Sequence, residues 1–446
     1  MKYTISRVMQ LFVSLILLNS VHVLAQDTAS RDLTLKDAID LSVKNSKQLK
    51  NNLARIDEAT AAVREAKDQR LPDFKVSGSY LRLNNPNITL KTKSGSGAPA
   101  DSNSVKVSSA LYGLANISYP LYSGMRIQYG IESAKYLEQA VKLDADNNRE
   151  AVILNAISAY VNLYKSKAAV DLVKENLDQS KKRDTDFLSL EKNGILARND
   201  LLKAQLQTAN IELSLFEATS NWKLANVNMN IMLGLPENMM LIQDTTSIQA
   251  PGSVQSLEEY EKQALQNRKD MMALSYRKKA AGTGIKAAKG EYYPGIALTG
   301  GYIAADVPGL LTITNAVNIG VGVQYSLSSL WKTKAKVQQA KAREQQLLAD
   351  EEALNDNVRY QINEAYQAYL LSQQKIEVYE KAINQATENY KITKNKYDNS
   401  LVTTTELLDA DVAQLQAKLN HRFARADALV AYNKLLQSAG LLQSTK

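Results

Sequence analysis

The stretch Val317-Asn318-Ile319-Gly320-Val321-Gly322-Val323-Gln324-Tyr325-Ser326 alternates apolar residues with small or polar ones. Successive side chains of a β-strand point to opposite faces, so this stretch predicts a strand with one apolar and one polar face. The same alternation occurs in 74–80 and 296–302 and, more weakly, in 111–119. Such strands are typical of transmembrane β-barrels, although a half-buried sheet in a soluble protein gives the same pattern.

Aromatic residues flank these segments, which favours the membrane interpretation because tyrosine and tryptophan concentrate at membrane–water interfaces. The loop 84–104 is polar and rich in Asn, Ser, Gly and Pro, as exterior barrel loops are. Four strands cannot close a barrel, and backbone groups in lipid must all be paired, so we expect an obligate oligomer in which three copies supply twelve strands. The predicted interface residues are Tyr80 and Tyr302 at one end of the strands, and Tyr119, Tyr122, Tyr293, Tyr325 and Trp331 at the other.

Long stretches without helix breakers separate the strands. None of the eight prolines lies within 121–235 or 309–446, which predicts very long helices. Apolar residues that recur every seven positions form the seam of a coiled coil. This spacing favours long helical hairpins over ordinary amphipathic helices. In the second stretch this spacing places Ile362, Tyr369, Ile376 and Ile383 in one row and the smaller Val358, Ala365 and Ser372 in another.

The chain is internally duplicated. A shift of 222 residues aligns 34–80 with 256–302 without a gap, and a shift of 206 residues aligns the chain from 119 onward with its second half. Because two constant offsets extend over such lengths, chance similarity between helical segments is a poor explanation. Each copy therefore reads helix, strand, loop, strand, long helix, turn, helix.

These patterns predict a mainly α-helical fold with transmembrane β-strands, four per chain. The N-terminal segment 1–25 reads as a secretory signal peptide, because Lys2 and Arg7 precede an apolar run and a small-residue cleavage site. The predicted first copy is 26–235, with helix 34–71, strands 72–83 and 106–120, and helices 123–193 and 197–234. A linker at 236–255 precedes the second copy, 256–446, with helix 256–293, strands 294–303 and 316–327, and helices 328–398 and 403–440.

Composition argues against several classes of function. The chain has no Cys and only two His, one of which, His22, lies in the predicted signal peptide. Thiol chemistry, a multi-His metal site and a Ser-His-Asp site are therefore not expected, and no phosphate-binding loop stands out. The net charge of +8 becomes +6 without the two signal-peptide cations, and its charges are scattered along helices, which disfavours nucleic acid as a partner. We expect no enzymatic activity, cofactor or bound metal.

The order of these features resembles the TolC-like outer-membrane efflux factors over essentially all of 32–443. The resemblance implies a homotrimer with a twelve-stranded barrel in the outer membrane of a Gram-negative bacterium and a twelve-helix tunnel through the periplasm. It also implies an equatorial position for the linker and a periplasmic tip that meets an adaptor protein coupled to an inner-membrane pump. The matching motifs are Leu71-Pro72, Tyr119-Pro120-Leu121-Tyr122-Ser123-Gly124, Asn193-Gly194-Ile195-Leu196, Asp200-Leu201-Leu202-Lys203-Ala204-Gln205, Met232-Leu233-Gly234-Leu235-Pro236, Ser400-Leu401-Val402 and Glu406-Leu407-Leu408-Asp409-Ala410.

The resemblance also suggests a pore gate at the periplasmic tip. Glu406 and Asp409 match positions at which such proteins carry acidic rings, and Asp200 is the corresponding tip residue of the first copy. Residues three apart share a helix face, so a trimer would stack two carboxylate rings that concentrate cations. Val402 stands where some relatives carry a basic residue, which puts a gate salt bridge in doubt. The predicted adaptor-contacting residues are Gly194, Ile195, Leu196, Ser400, Leu401 and Val402.

Two functions of different classes fit the sequence. The first is the outer-membrane exit duct of a tripartite efflux or secretion system, which has no chemistry of its own and is embedded in outer-membrane lipid. The second is a periplasmic coiled-coil scaffold whose strands form a soluble sheet. Extraction behaviour and ion conductance distinguish them, because a scaffold would be soluble and electrically silent.

Overall fold

A computed structural model describes residues 30–84, 86–88, 105–244, 248 and 254–442. The predicted signal peptide, most of the predicted loop 84–104 and part of the linker 236–255 lie outside the described residues. The helices are α1 (Leu35–Asn45), α2 (Lys47–Asp68), α3 (Arg126–Lys192), α4 (Arg198–Leu233), α5 (Leu257–Asn267), α6 (Lys269–Lys289), α7 (Ser329–Asp398) and α8 (Thr404–Ser438). The strands are β1 (Ser30–Leu33), β2 (Asp73–Arg82), β3 (Asn87–Ile88), β4 (Val105–Lys106), β5 (Ser109–Tyr122), β6 (Met240–Gln243), β7 (Gly295–Val307) and β8 (Leu311–Gln324).

The predicted helices 34–71 and 256–293 are wrong in one respect, because each is broken into two. The breaks fall at Ser46 and Arg268, which are equivalent under the 222-residue shift and have non-helical backbone, with ψ of 118° and 124°. Polar anchors hold each break. The Asn45 amide donates to the Leu233 carbonyl at 2.6 Å, and the Arg268 guanidinium binds Asp270 at 2.6 Å. A short 3-10 turn over 290–292 then follows α6.

The main sheet has the strand order β2-β5-β7-β8, and all its pairings are antiparallel. The predicted strands 294–303 and 316–327 are wrong at their ends, because β7 and β8 run on to a tight turn at Pro308 and Gly309, where Gly309 has φ 77°. A short turn lets the strands stay paired where the sequence suggested a loop. β5 runs to Tyr122, beyond the predicted end at 120, and its register shifts between Pro120 and Tyr122, because proline cannot donate to the ladder.

The described chain divides into two compact units. Unit 1 comprises the residues up to 47, 149–259 and those from 362, and unit 2 comprises 48–148 and 260–361. In unit 1 the parallel pair β1–β6 covers a core in which the buried Tyr160 hydroxyl donates to the Asp244 carbonyl at 2.7 Å. No helix among the described residues has the length and apolar character needed to cross a bilayer.

The sevenfold rows predicted for the long helices are buried along much of their length. In α7, Ile362 and Tyr369 are 0% and 1% exposed, and the small-residue row is buried at Ala365 and Ser372. Ser372 also donates its hydroxyl to the Tyr369 carbonyl at 2.6 Å. In α3 the matching buried residues are Val152, Ala156, Ala159, Leu163, Val173 and Leu177.

Candidate functional site

The turn that follows α3 and the turn that follows α7 have the same backbone geometry. Gly194 and Ser400, equivalent under the 206-residue shift, both have left-handed backbone, with φ of 71° and 61°. The next residues, Ile195 and Leu401, each donate their N–H at 2.9 Å to the carbonyl five positions earlier. This bond is the 6→1 link of a Schellman motif, so both long helices end in the same way.

These two turns expose one large aliphatic side chain each. Ile195 and Leu401 are both 73% exposed, although leaving an isoleucine or leucine side chain in water is unfavourable in free energy. Leu196 and Val402 are half-buried, whereas Gly194 and Ser400 are exposed. The six residues predicted to contact an adaptor therefore include two exposed apolar side chains at equivalent positions of the two copies.

An apolar cluster packs the two hairpins together just inside these turns. Its buried members are Phe187 of α3, Leu201 and Ala204 of α4, and Leu407 of α8. The Phe187 ring stacks on Tyr397 of α7, with 5.5 Å between the ring centroids. All four helices of unit 1 that reach the turns thus contribute to one core, which fixes the positions of the neighbouring polar residues.

Glu406, a predicted gate residue, has a structural role at the start of α8. Its carboxylate accepts the Thr403 backbone N–H at 2.7 Å and the Thr403 hydroxyl at 2.9 Å. The Glu406 N–H donates in return to the Thr403 hydroxyl, which completes a capping box. The hydrogen bond from the Thr403 backbone, and then the one from its hydroxyl, lower the pKa of Glu406. The carboxylate is therefore ionised at neutral pH and fixed at the helix start.

Asp409 and Asp200, the other two predicted gate residues, differ in their charge partners. Asp409 is exposed one turn beyond Glu406 and has no ion pair among the described residues. Asp200 is half-buried and lies 3.3 Å from the Lys203 ammonium, which is also 3.5 Å from the Thr405 hydroxyl. Two of the three predicted carboxylates are thus exposed on one face of α8, and the third has a local counter-ion that the sequence analysis missed.

The sequence analysis also missed a buried polar network between α3 and α8. Arg183 and Asp411 form an ion pair at 2.9 Å with side chains 10% and 2% exposed. The Asn176 amide donates to the other Asp411 oxygen at 3.0 Å, and Arg183 donates to the Ser180 hydroxyl at 2.6 Å. Burial, followed by the nearby Asp411 charge, raises the pKa of Tyr390 beside this pair. Comparing the two copies could not reveal it, because Gln205 occupies the position equivalent to Asp411.

The register of the main sheet places apolar residues on one face in four successive rows. The opposite face carries polar or small residues, for example Lys75, Asn116, Gly301 and Asn318 in one row. The apolar face is open, since the exposed fractions of Phe74, Val76, Val317, Ile319, Val321 and Val323 lie between 64% and 82%. The apolar rows are Phe74–Ile117–Gly300–Ile319, Val76–Ala115–Tyr302–Val317, Tyr119–Leu298–Val321 and Tyr122–Ile296–Val323.

Most of the predicted interface aromatics lie at the two ends of this sheet. At the end that connects to the long helices, Tyr293 and Trp331 are 57% and 65% exposed, with Tyr119, Tyr122 and Tyr325 nearby in the strands or directly after them. Tyr80 lies toward the opposite end and is paired with Leu111. Tyr302 is different, since it lies opposite Val317 in the middle of the extended β7. Its place at a membrane border therefore stays a prediction.

Two glycines at the helix-connected end of the sheet bring two chain segments into direct backbone contact. Gly124, between β5 and α3, has φ 64°, a left-handed conformation that favours glycine. A Cβ at Gly290, directly after α6, would collide with the Gly124 carbonyl oxygen and lie 2.7 Å from Cγ of Arg126. This contact fixes the entrance of α3 against the exit of α6.

The fold matches solved outer-membrane channels. The Campylobacter jejuni CmeC outer membrane channel superposes with a TM-score of 0.75 at 17% identity, covering 92% of this chain and 86% of the other. The outer membrane protein VceC of Vibrio cholerae superposes with a TM-score of 0.73 at 18% identity, covering 91% of this chain and 96% of the other. The protein therefore has the fold of the outer-membrane channel proteins, and the predicted fold class is confirmed for the single chain.

Sequence comparison then gives the family. The family model described as "Outer membrane efflux protein" matches residues 38–235 and 261–441, which lie within the two predicted copies. Outer membrane efflux protein BepC of Brucella suis biovar 1 (strain 1330) is 22% identical over 457 residues, which cover 99% of this chain and 92% of the relative. The chain belongs to the outer membrane efflux protein family, and the predicted location in the outer membrane is confirmed.

Proposed function

We propose that three copies of this chain form a continuous channel, which acts as the exit duct of a tripartite efflux or secretion system. The observation that carries the proposal is the main sheet, which has an open apolar face and two edge strands, β2 and β8, each paired on one side only among the described residues. In lipid every backbone N–H and C=O needs a partner, so an open four-stranded sheet is unstable there. Three sheets joined edge to edge close into twelve strands.

A second exposed surface supports self-association. One face of α4 carries six large apolar side chains, each at least half exposed in the single chain. Several are seven residues apart, the spacing of a coiled-coil seam that faces another helix. In the proposed trimer the α4 face packs against a helix of the neighbouring copy. The six residues are Leu202, Leu206, Leu213, Phe216, Leu224 and Ile231.

The tip turns are the proposed contact with the periplasmic adaptor, which couples the duct to an inner-membrane pump. Ile195 and Leu401 support this assignment. Each chain exposes these two aliphatic side chains, so a trimer would present a ring of six apolar contact points. Glu406 and Asp409 are the proposed gate charges. Asp200 contributes less, because Lys203 partly neutralises it.

Mass and conductance measurements test the proposal. Protein extracted from outer membranes in mild detergent should have a protein mass of three chains by light scattering, and it should conduct ions in planar bilayers. A soluble protein without conductance would support the alternative, a periplasmic scaffold. If a single chain conducts ions and retains its full β-sheet circular dichroism signal, the proposed trimer is wrong but the proposed channel function stands.

A further inference from the structure

All four connections between the main sheet and the helices of unit 2 lie at one end of the sheet. The register pairs the start of β2 with the end of β5, Asp73 opposite Ser118. It also pairs the start of β7 with the ends of β5 and β8, Ile296 opposite Tyr122 and Gly295 opposite Gln324. The last residues of α2 and α6 and the first residues of α3 and α7 therefore surround the same end of the strands.

This end of the sheet carries an excess of cations. The four connecting segments are 64–75, 126–135, 286–295 and 329–338, and together they contain eleven Lys and Arg but five Asp and Glu. Two of the five acids pair with two of these cations, Asp73 with Lys75 and Glu291 with Lys336, which leaves nine cations and three acids. All eleven cations are exposed. Lys75 lies within β2 on the polar face of the sheet, and we call the other ten the basic belt: Arg64, Lys67, Arg70, Arg126, Lys135, Lys286, Lys289, Lys332, Lys334 and Lys336.

Helix electrostatics accounts for only part of the basic belt, because Lys67, Lys286 and Lys289 lie in the last turns of α2 and α6, where a cation is favourable. The N-terminus of a helix carries a partial positive charge, so acidic residues stabilise it and cations destabilise it. Among the described residues five helices follow this rule, with acidic residues in the first turn of α1, α4, α5, α6 and α8, whereas α2 has none. The two that leave the sheet do not. α3 begins with Arg126, the early turns of α7 carry Lys332, Lys334 and Lys336, and neither helix has an acid in its first turn. Lys336 pairs with Glu291, whereas Arg126, Lys332 and Lys334 have no ion pair among the described residues, so a negative partner from outside the chain would stabilise them.

The residues next to the basic belt indicate what this partner is. Along the strand direction, apolar, aromatic and cationic residues follow one another in a fixed order. First come the open apolar rows of the sheet, then exposed Tyr293, Leu327 and Trp331, and then the cations. A bilayer has the same sequence of environments, namely hydrocarbon, interface and charged headgroups. Lysine and arginine near a membrane surface extend their ammonium and guanidinium groups toward such headgroups.

We propose that the basic belt binds anionic phospholipid headgroups of the leaflet on the helical side of the sheet. The proposal rests on the proposed function to the extent that it takes the sheet to span the bilayer. It adds a lipid preference, because neutral headgroups offer the belt no net charge. Anionic lipid should therefore be enriched on the purified protein relative to the membrane from which it was extracted.

The test compares the lipid retained by three forms of the full chain. The belt variant combines Lys289→Gln, Lys332→Gln and Lys334→Gln, which are exposed cations with no ion pair among the described residues. The matched control combines Lys375→Gln, Lys381→Gln and Lys394→Gln, exposed lysines of α7 that lie in unit 1. Each protein is extracted from membranes in mild detergent, and the ratio of phosphatidylglycerol to phosphatidylethanolamine is measured by mass spectrometry.

Wild type and control should retain phosphatidylglycerol in excess of its share in the membrane. The belt variant should lose at least about five-fold of this preference, the factor that corresponds to one cation near an anionic surface. Equal ratios in the belt variant and the control would overturn the proposal. A second result would also overturn it. If inorganic phosphate abolished the phosphatidylglycerol enrichment while chloride of the same ionic strength did not, the belt would be a site for free phosphate.

Trimer mass and conductance are measured on the same samples. If both are normal in wild type while the lipid ratios do not differ, the lipid assignment fails and the channel assignment stands. If wild type neither trimerises nor conducts, the proposed function fails. A belt variant that conducts normally but has lost anionic lipid would place the effect in the belt rather than in folding.

Discussion

The carboxylate of Glu406 accepts two hydrogen bonds from Thr403, so it stabilises the helix that carries it whether or not it also faces a pore. Replacement by alanine would remove the cap and the charge together, and a change in conductance could not then be assigned to either. Glu406→Gln keeps a side-chain carbonyl oxygen that can accept the Thr403 N–H, while the negative charge is lost. Such a replacement separates the two roles at a single residue.

The contact between Gly124 and Gly290 gives a prediction at the same scale. Gly290→Ala places a methyl group against the Gly124 carbonyl oxygen, and backbone has to move to accept it. We expect the free energy of unfolding to fall by about 1–3 kcal/mol, the usual cost of overpacking. Thermal unfolding in detergent, followed by circular dichroism, measures the change.

Gly284→Ala is the matched control for this substitution. Gly284 lies inside α6, and an added Cβ meets no atom within 4 Å. Alanine is favoured over glycine in a helix interior, so this variant should be as stable as wild type or more stable by up to about 1 kcal/mol. Equal stability of the two variants would show that the close approach of the two backbones is not needed.

At the scale of elements, duplication repeats local geometry with high fidelity. The breaks at Ser46 and Arg268 are equivalent, and so are the turns at Gly194 and Ser400. The polar anchors differ between the copies, since Asn45 binds a backbone carbonyl and Arg268 binds a carboxylate. Backbone conformation is therefore the feature that the two copies share, and different side chains support it.

The two tip turns lead to a prediction at this scale. The double substitution Ile195→Asp with Leu401→Asp should leave the trimer intact, because both side chains are 73% exposed and contribute little to packing. It should weaken binding of a periplasmic adaptor at least about ten-fold, since an apolar contact is replaced by a desolvated charge. Binding to immobilised adaptor is the measurement.

The control keeps the turns apolar by combining Ile195→Leu with Leu401→Ile. If adaptor binding is the same for the Asp pair and for this pair, the turns do not form the contact surface. If the Asp pair loses the trimer as well, the exposed side chains belong to an interface between copies.

At the scale of the whole molecule, the single chain leaves two large apolar surfaces open, the apolar face of the main sheet and the exposed face of α4. Monomeric soluble proteins rarely expose contiguous apolar patches of such size. The first surface fits lipid. Apolar and polar residues alternate along each of the four strands, and the register places the apolar ones on the same face. The second fits another helix, because its residues follow a coiled-coil spacing. Both surfaces are covered in the proposed trimer.

The gate prediction belongs to this scale, because its charges act as rings across three copies. Glu406→Gln with Asp409→Asn removes six negative charges from the proposed constriction and keeps the shapes of the side chains. We expect cation selectivity in planar bilayers to fall by roughly five-fold, the factor contributed by one unit charge 4 Å from a cation even at the dielectric constant of water. Block by multivalent cations should weaken as well.

Glu377→Gln with Glu380→Gln provides the control. These carboxylates are also exposed, three residues apart on one helix, and without ion pairs among the described residues, but they lie well before the turn at the end of α7. If both double variants change selectivity to the same extent, Glu406 and Asp409 act only as surface charges.

The sequence by itself determined the element types, the duplication and the apolar seams. Periods of two and seven, together with the positions of proline and glycine, reflect backbone geometry within one element, and this geometry is local. Only the tertiary structure decided which residues meet between elements. The pairing of Arg183 with Asp411 occurs in one copy alone, so no repeat or period indicates it. Likewise, the contact of Gly124 with Gly290 and the extension of β7 and β8 to Gly309 depend on which segments lie side by side. A side chain's period shows the face on which it lies, whereas its partner is set by packing between segments far apart in the chain.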